Sequence, residues 1–297
     1  MDVNLIDILF IIKERLKISM NKNKIDKVFL VTSGKGGVGK STISASMASK
    51  LSELNYNVLV IDMDMGLRNL DIMMGLEDKV KYDVIDFING KCKLKDAILK
   101  DPDGNNLSLL PATEDITKVL DADKCNLLID YLRKLFDYIV IDSPAGIEEG
   151  FLNSTINIDK ALVVVNQDKS SITDANRVID ILDLLEMEDI GIVVNRYTNL
   201  RGDYFNIEDV YRLLGCNEIQ GLVRESDLVV KYTNKGIIPS KIRGTEFAED
   251  IELLVDNILT GNNIELDYSF PEYNKRENTS GLIGSIVGKI LNKKRGN

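Results

Sequence analysis

A glycine-rich loop between an apolar strand and a helix is the feature that most constrains how this chain can fold. The β-branched run from Val28 to Thr32 predicts a buried strand, and a helical pattern from Lys40 to Leu54 begins directly after the loop. Glycines allow successive backbone N–H groups to turn inward, and the helix N-terminus adds the positive end of its dipole. The sequence therefore predicts a phosphate-binding loop of the P-loop type. The predicted loop and helix start comprise Gly34, Lys35, Gly36, Gly37, Val38, Gly39, Lys40, Ser41 and Thr42.

The glycine spacing is also compatible with a second class of site. The same glycines match the dinucleotide-binding pattern, and Asp62 then lies where an acid would bind the ribose. This alternative is an oxidoreductase that binds a nicotinamide dinucleotide. Its pattern does not require a lysine and a hydroxyl after the last glycine, whereas the P-loop uses both. Lys40 can bridge the β and γ phosphate oxygens and Ser41 can hold Mg²⁺, which favours a nucleoside triphosphate.

Apolar runs alternate with helical patterns along the chain, which predicts a mostly parallel, doubly wound sheet flanked by helices. Helical periodicity covers Thr173 to Leu185 and Thr245 to Leu259, and Gly261 then closes the last helix. The other predicted strands are Val58–Ile61, Leu107–Leu110, Tyr138–Ile141, Ala161–Val165 and Gly191–Val194. We expect an α/β fold with a single P-loop domain at 27–260, an N-terminal extension at 1–26, a flexible polar linker at 261–279 and an amphipathic helix at 280–295.

Three acidic residues follow predicted strands. Asp62 and Asp64 come directly after the second strand, and Asp142 ends the strand that begins at Tyr138. Carboxyl ends of parallel strands face the ligand crevice, where carboxylates can order Mg²⁺ through its water shell and position an attacking water. We therefore expect Ser41, Asp62 and Asp142 to hold the metal. The alternative for each acid is that it only caps the loop that follows.

The net charge of −10 and the absence of histidine narrow the chemistry further. A chain this acidic lacks the broad basic face that binding to a nucleic-acid backbone requires, so we expect no nucleic-acid partner. Without histidine, catalysis must use carboxylates, lysines and backbone dipoles, which is compatible with phosphoryl transfer. Cys92, Cys125 and Cys216 form no C-x-x-C pair. That spacing argues against a zinc site or a disulfide framework and favours a reducing cytoplasm.

The loop resembles the deviant P-loop of the MinD/ParA family, whose mark is the extra lysine at Lys35. Two further segments carry the resemblance, Gly66–Asp71 (GLRNLD) and Asp142–Glu148 (DSPAGIE). The similarity extends over about Lys27 to Leu259 and includes the C-terminal tail. It implies a slow, Mg²⁺-dependent ATP hydrolase that forms a homodimer when it binds ATP.

The resemblance also implies roles for individual residues, with Lys35, Lys40, Asp64 and Asp142 as the catalytic set. Lys35 is expected to reach the nucleotide of the other subunit, Asp64 to lie in switch I near the attacking water, and Asp142 to lie in switch II. Asn195 matches the residue that recognises adenine in many relatives. The chain departs from the family at Gly221–Glu225, where GLVRE replaces the usual Gly-Val-Ile-Pro-Glu and removes the proline beside the base.

The C-terminal tail has the pattern of a helix that lies in a membrane interface. Apolar residues recur with helical spacing, and basic residues flank them on an otherwise acidic chain. One copy should bind weakly, like a single acyl anchor at about 10⁴ M⁻¹, and two copies in one dimer should bind about 10² to 10⁴ times more tightly. The alternative is a helix that docks on this protein or a partner. The predicted membrane residues are Leu282, Ile283, Ile286, Val287, Lys289, Ile290 and Leu291.

Partners and location are implied by the same family resemblance. It implies recruitment of a MinC-type division inhibitor that places the division septum, stimulation of hydrolysis by a MinE-type protein or a substitute, and a cytoplasmic location at the inner face of the cell membrane. An alternative within the family is a flagellar-number ATPase of the FlhG type.

The N-terminal extension contains an apolar run, Leu5–Ile12, that is too short to span a bilayer and lacks the features of a signal peptide. The extension is either an additional docking helix or a packed or poorly ordered segment, and translation from Met20 is a further alternative.

Overall fold

The structure is a computed structural model that describes residues 27–103, 106–115, 117–118, 120, 122–198, 205–215 and 219–264. The predicted N-terminal extension and the amphipathic helix at 280–295 lie outside the described residues, as does the linker after residue 264.

Among the described residues, eight strands form one sheet in the order β3-β4-β2-β5-β1-β6-β7-β8. All neighbouring strands are parallel except β3, which pairs antiparallel with β4 at the edge. The predicted α/β class with a mostly parallel sheet is confirmed. The strands are β1 Val28–Thr32, β2 Val58–Asp62, β3 Leu99–Lys100, β4 Leu107–Leu110, β5 Tyr138–Asp142, β6 Lys160–Val165, β7 Ile190–Tyr197 and β8 Ile219–Arg224.

Helices connect most of the parallel strands, as the alternating sequence pattern predicts. They are α1 Lys40–Glu53, α2 Leu70–Met73, α3 Val84–Ile88, α4 Leu94–Ala97, α5 Ala122–Leu132, α6 Glu149–Ser154, α7 Lys169–Leu184, α8 Ile207–Leu214, α9 Asp227–Thr233 and α10 Glu246–Thr260. Two short 3₁₀ helices cover Glu77–Lys79 and Pro239–Lys241. None of these described helices combines the length and apolarity that crossing a membrane requires.

The core forms where the continuous apolar runs of the sequence meet. Every residue of β1, β2 and β5 is buried. These strands are covered on both faces, which explains why apolar side chains occur at successive positions. Helix α1 packs against this central part and against α10. The predicted strands all form. Strand β7 continues to Tyr197, beyond the predicted end at Val194, and β3 and β8 are additional to the prediction.

The strand order brings the predicted acids and the glycine loop together at the carboxyl ends of the parallel strands. The chain leaves β1 towards β2 on one side and later passes to β6 on the other, so β1 lies at the switch point where ligand crevices form. In the register of β2 and β5, Asp62 is paired with Asp142. The amino ends of the parallel strands lie at the opposite end of the sheet. There the Ile264 N–H donates to the carbonyl of Ile219, the first residue of β8, at 2.8 Å.

Candidate functional site

The glycine loop connects β1 to α1 and places its backbone close to β7. Gly37 and Gly39 have φ angles of +80° and +99°, values that favour glycine. A Cβ at Gly39 would lie 2.2 Å from Nδ2 of Asn195. Since only glycine allows this approach, the loop can turn tightly before α1 begins at Lys40. Its N–H groups and the helix N-terminus are thereby arranged as an anion-binding site.

A cleft of about 830 Å³ opens beside the loop. One side consists of the predicted residues Gly36, Gly37, Gly39, Lys40, Ser41 and Thr42. Asp64 also lines the cleft, as does the Pro144–Ala145 segment after β5. The other predicted site residues do not line the cleft: Gly34, Lys35, Val38, Asp62, Asp142 and Asn195.

Asp142 lies behind the start of α1 and is 1% exposed. Its Oδ1 accepts a hydrogen bond from the Ser44 hydroxyl at 2.9 Å, and the Ser41 hydroxyl donates to the same carboxylate. Burial raises the pKa of Asp142 to about 6, although the Lys40 charge and both serines act in the opposite direction. The carboxylate therefore orients the hydroxyl of Ser41, which faces the cleft.

Asp62 organises the loop after β2 and is turned away from the cleft. Its carboxylate accepts backbone N–H groups from Asp64 at 3.0 Å, Asn69 at 3.2 Å and Leu70 at 3.3 Å. Burial, reinforced by the charge of Asp142, raises the pKa of Asp62 to about 7. Because these contacts occupy both oxygens, Asp62 fixes the segment that carries Asp64.

The oxygen groups at this end of the cleft fit Mg²⁺. Ser41 presents a hydroxyl with Asp142 behind it, and hydroxyl and carboxylate oxygens are the hard ligands that Mg²⁺ prefers. In the described part of the chain, no group of three or more carboxylates and thiols could enclose a metal by itself. A cation here would complete its shell with water molecules or with oxygens from a bound phosphate.

Asp64 and Lys40 both line the cleft and interact electrostatically. Burial raises the pKa of Asp64, and the positive charge of Lys40 partly offsets this effect. Lys40 itself is 7% exposed. The two side chains thus supply a carboxylate and an ammonium group to the same cleft.

Lys35 lies outside the cleft in this single chain. Its Nζ donates to Asp168 at 3.0 Å and to the Ser170 hydroxyl at 2.6 Å, at the start of α7. Burial raises the pKa of Asp168, but the Ser171 backbone N–H and Lys35 more than offset it and leave the pKa below its usual range. The signature lysine is therefore paired within its own chain.

Asn195 supports the glycine loop from β7. Its Nδ2 donates to the carbonyl of Val38 at 2.7 Å, and the residue is 5% exposed. The next residue, Arg196, has a φ of +53° and lines the cleft, although no sequence motif indicated it. A charged residue directly after Asn195 at a strand end is the signal that could have identified it.

Arg224, at which the chain departs from the family pattern, binds two carboxylates that do not line the cleft. The Arg224 guanidinium donates to Asp250 at 2.7 Å and 2.9 Å and to Glu246 at 2.7 Å, and both carboxylates lie on α10. These contacts keep the side chain against the helix. Arg224 therefore replaces the proline without entering the nucleotide space.

The outer rim of the cleft is formed by two segments that no sequence motif indicated. Ile72 and Met73 of α2 belong to one segment, and Thr233, the last residue of α9, and Asn234 belong to the other. Two glycines, Gly75 and Gly236, bring the segments together, since a Cβ on Gly236 would lie 2.6 Å from the Cα of Gly75. The contact is backbone to backbone and leaves no room for a side chain.

A glycine loop at the switch point of a parallel sheet, with lysine, serine and a buried carboxylate at the following helix, defines a P-loop nucleotide-binding domain. Residues 29–251 match the family described as CobQ/CobB/MinD/ParA nucleotide binding domain. A septum site-determining protein MinD from Helicobacter pylori is 41% identical over 221 residues, 70% of this chain and 82% of that protein. Its counterpart from Thermotoga maritima is 36% identical over 275 residues, 91% and 99% of the two chains. The chain therefore belongs to the MinD family of P-loop ATPases.

Solved structures agree with this assignment. A MinC:MinD cell division protein complex from Aquifex aeolicus contains a chain with a TM-score of 0.75 and 38% identity. The similarity covers 82% of this chain and 98% of that one. MinD from Pyrococcus horikoshii, complexed with Mg-ADP, has a TM-score of 0.71 and 27% identity over 78% and 95% of the two chains.

Proposed function

We propose that this protein is an ATP-dependent switch that binds the membrane and recruits a division inhibitor to place the division septum. The observation that carries the proposal is the cleft in which Lys40, Ser41 and Asp64 converge, with Asp142 behind Ser41. The relatives named septum site-determining protein support the same role.

Hydrolysis of ATP at this site would rely on positioning and charge. Lys40 neutralises the β and γ phosphates, while the loop N–H groups bind their oxygens. Ser41 and Asp142 would hold Mg²⁺, which would supply further positive charge beside the phosphates. Asp64 orients the attacking water, and Asp62 keeps Asp64 in place through the backbone of the loop after β2.

The active form is proposed to be an ATP-bridged homodimer. Three apolar side chains, Leu67 and Ile72 at the cleft and Val230 on α9, are 66%, 52% and 63% exposed, and a second copy would cover them. Lys35 would leave Asp168 and bind the nucleotide of the partner subunit. The base would lie near Asn195.

Membrane binding is proposed to follow from dimerisation. Each subunit contributes one amphipathic segment at 280–295, and two weak anchors in one dimer act together. ATP binding would therefore bring the protein to the inner face of the cell membrane, and hydrolysis would release it. A MinC-type inhibitor would bind the dimer, as the Aquifex complex supports, and a MinE-type protein or a substitute would stimulate hydrolysis.

Sedimentation with anionic vesicles tests this proposal. The parent protein should sediment with Mg²⁺-ATP and remain in solution with Mg²⁺-ADP. Lys40→Ala should abolish nucleotide binding, whereas Asp64→Ala should dimerise on ATP and stay bound without hydrolysis. Ile286→Glu should hydrolyse ATP but not sediment. Asp78→Ala, an exposed carboxylate outside the cleft, is the matched control and should behave like the parent.

Two results would overturn the proposal. One is equal sedimentation of the parent protein with ATP and ADP. The other is size-exclusion chromatography of Asp64→Ala in which the protein stays monomeric when saturated with Mg²⁺-ATP.

A further inference from the structure

Arg196 interrupts the regular strand pairing at the end of β7. Asn195 is opposite Val223 of β8, but Tyr197 is opposite Arg224, so β7 takes two steps where β8 takes one. Arg196 is the extra residue and forms a β-bulge. Its φ of +53° lies in the left-handed region, which residues other than glycine seldom adopt. Bulges of this kind redirect a side chain and are frequent beside functional sites.

The bulge brings Arg196 to the cleft beside the glycine loop. Asn195, one residue earlier, does not line the cleft, because its amide donates to the carbonyl of Val38 at 2.7 Å and the residue is 5% exposed. Arg196 lines the cleft together with Thr233 and Asn234, and 53% of its side chain is exposed. The two neighbouring residues therefore differ in their contacts: Asn195 supports the loop, and Arg196 borders the space for a ligand.

Glu225 lies beside the guanidinium and offsets its charge. Oε2 of Glu225 is 3.7 Å from Nε of Arg196, and the Glu225 backbone N–H donates to the carbonyl of Tyr197 at 3.1 Å. This carboxylate would repel a phosphate group, but it would not repel a neutral base. The guanidinium is planar and weakly hydrated, and such groups pack against the faces of aromatic rings. The surroundings of Arg196 therefore favour the base of a nucleotide over its phosphates.

We propose that Arg196 is a base-binding residue whose guanidinium packs against the face of adenine while Glu225 orients it. This inference rests on the proposed function, because it requires a nucleotide in the cleft. The phosphates lie at the glycine loop and Lys40, and the base lies against Arg196. The contact adds affinity for the base and none for the phosphates.

Calorimetric titration of the full chain with Mg²⁺-ADP and with Mg²⁺-pyrophosphate tests this proposal, because only ADP carries the base. Arg196→Asn and Arg196→Gly remove the guanidinium, and both residue types tolerate the positive φ of the bulge. Each should weaken ADP binding by about 5- to 30-fold and change pyrophosphate binding by less than about twofold. Arg196→Lys keeps the charge but lacks the planar group, so its ADP binding should remain weaker than that of the parent.

Two further variants complete the experiment. Arg212→Asn removes an arginine of α8 that is 62% exposed and does not line the cleft, and it should bind both ligands like the parent. Glu225→Gln should weaken ADP binding by at most about fivefold, because the ion pair is exposed. Tighter ADP binding by Glu225→Gln would overturn the orienting role of this carboxylate.

Two results would overturn the assignment of Arg196. One is equal ADP affinity in the parent and in both variants that lack the guanidinium. The other is an equal loss of ADP and pyrophosphate binding, which would assign Arg196 to the phosphates or to support of the loop. These results are separate from vesicle sedimentation. If the parent sedimented equally with ATP and ADP, the membrane switch would fail, but a selective loss of ADP binding would still support the contact with the base.

Discussion

The ion pair between Arg133 and Asp159 should be among the contacts in the described fold that are most costly to break by removing one partner. The side chains are only 10% and 7% exposed. The guanidinium donates to both carboxylate oxygens, at 2.6 Å and 2.9 Å, and to the carbonyl of Asn157 at 2.6 Å. Burial raises the pKa of Asp159, but Arg133 and two backbone N–H groups more than offset it, so the pKa lies below its usual range.

Arg133→Met removes the cation and leaves a buried carboxylate with two backbone donors. Breaking a buried pair in this way costs about 3 to 5 kcal/mol, and the remaining N–H bonds place the expected loss near the lower value. For a domain of this size, about 3 kcal/mol corresponds to a fall in melting temperature of about 6 to 12 °C. In Arg133→Met/Asp159→Asn the loss should be smaller, because no charge remains buried.

Urea unfolding followed by circular dichroism measures these differences. Arg212→Met is the matched control, because Arg212 pairs with Asp209 on the surface with 62% of its side chain exposed, and its loss should be at most about 0.5 kcal/mol. The pKa of Asp159 is lower in the folded protein than in the unfolded chain. The ionised carboxylate therefore stabilises the fold above the ordinary pKa of 3.8, and this contribution disappears as pH falls through the pKa of the folded protein. The reasoning would be refuted if Arg133→Met lowered the free energy of unfolding by less than about 1 kcal/mol at pH 7. It would also be refuted if this loss did not become smaller towards pH 3.

Further substitutions test other contacts. Gly34→Ala should lower the melting temperature, because its Cβ would lie 2.1 Å from the backbone of Asp174, whereas Gly36→Ala meets nothing within 4 Å and should leave it unchanged. Burial raises the pKa of Asp62 to about 7, so the Mg²⁺-free protein should lose stability as pH rises from 3.8 to about 7. Urea titrations at several pH values should show a smaller loss in Asp62→Asn. Gly39→Ala should prevent binding of a fluorescent ATP analogue, since its φ is +99° and Asn195 occupies the space of a Cβ.

Much of the fold could be predicted because its signals are local. Strands such as β1 and β5 are buried on both faces, so their continuous apolar runs are unambiguous in the sequence. Strand β8 was not predicted because Gln220 and Gly221 interrupt its apolar pattern. The Gly221 backbone lies so close to Leu254 of α10 that a Cβ would approach within 2.7 Å. Contact with a distant helix, which the local sequence does not reveal, makes this segment a strand.

The candidate site could be predicted in outline but not in the direction of each side chain. The motif indicated Lys40 and Ser41, and both line the cleft. Asp62 was expected to hold metal, yet three backbone N–H groups of the following loop occupy its carboxylate. The effect of Arg224 depends on Asp250, which is 26 residues further along the chain. Pairings of this kind are set by the folded structure, so sequence spacing does not reveal them.

The glycine contact between the two rim segments gives the cleft a mechanical property. With no side chain between Gly75 and Gly236, neither backbone can shift towards the other without displacing it. A displacement of the segment after α2 would therefore press directly on the segment after α9.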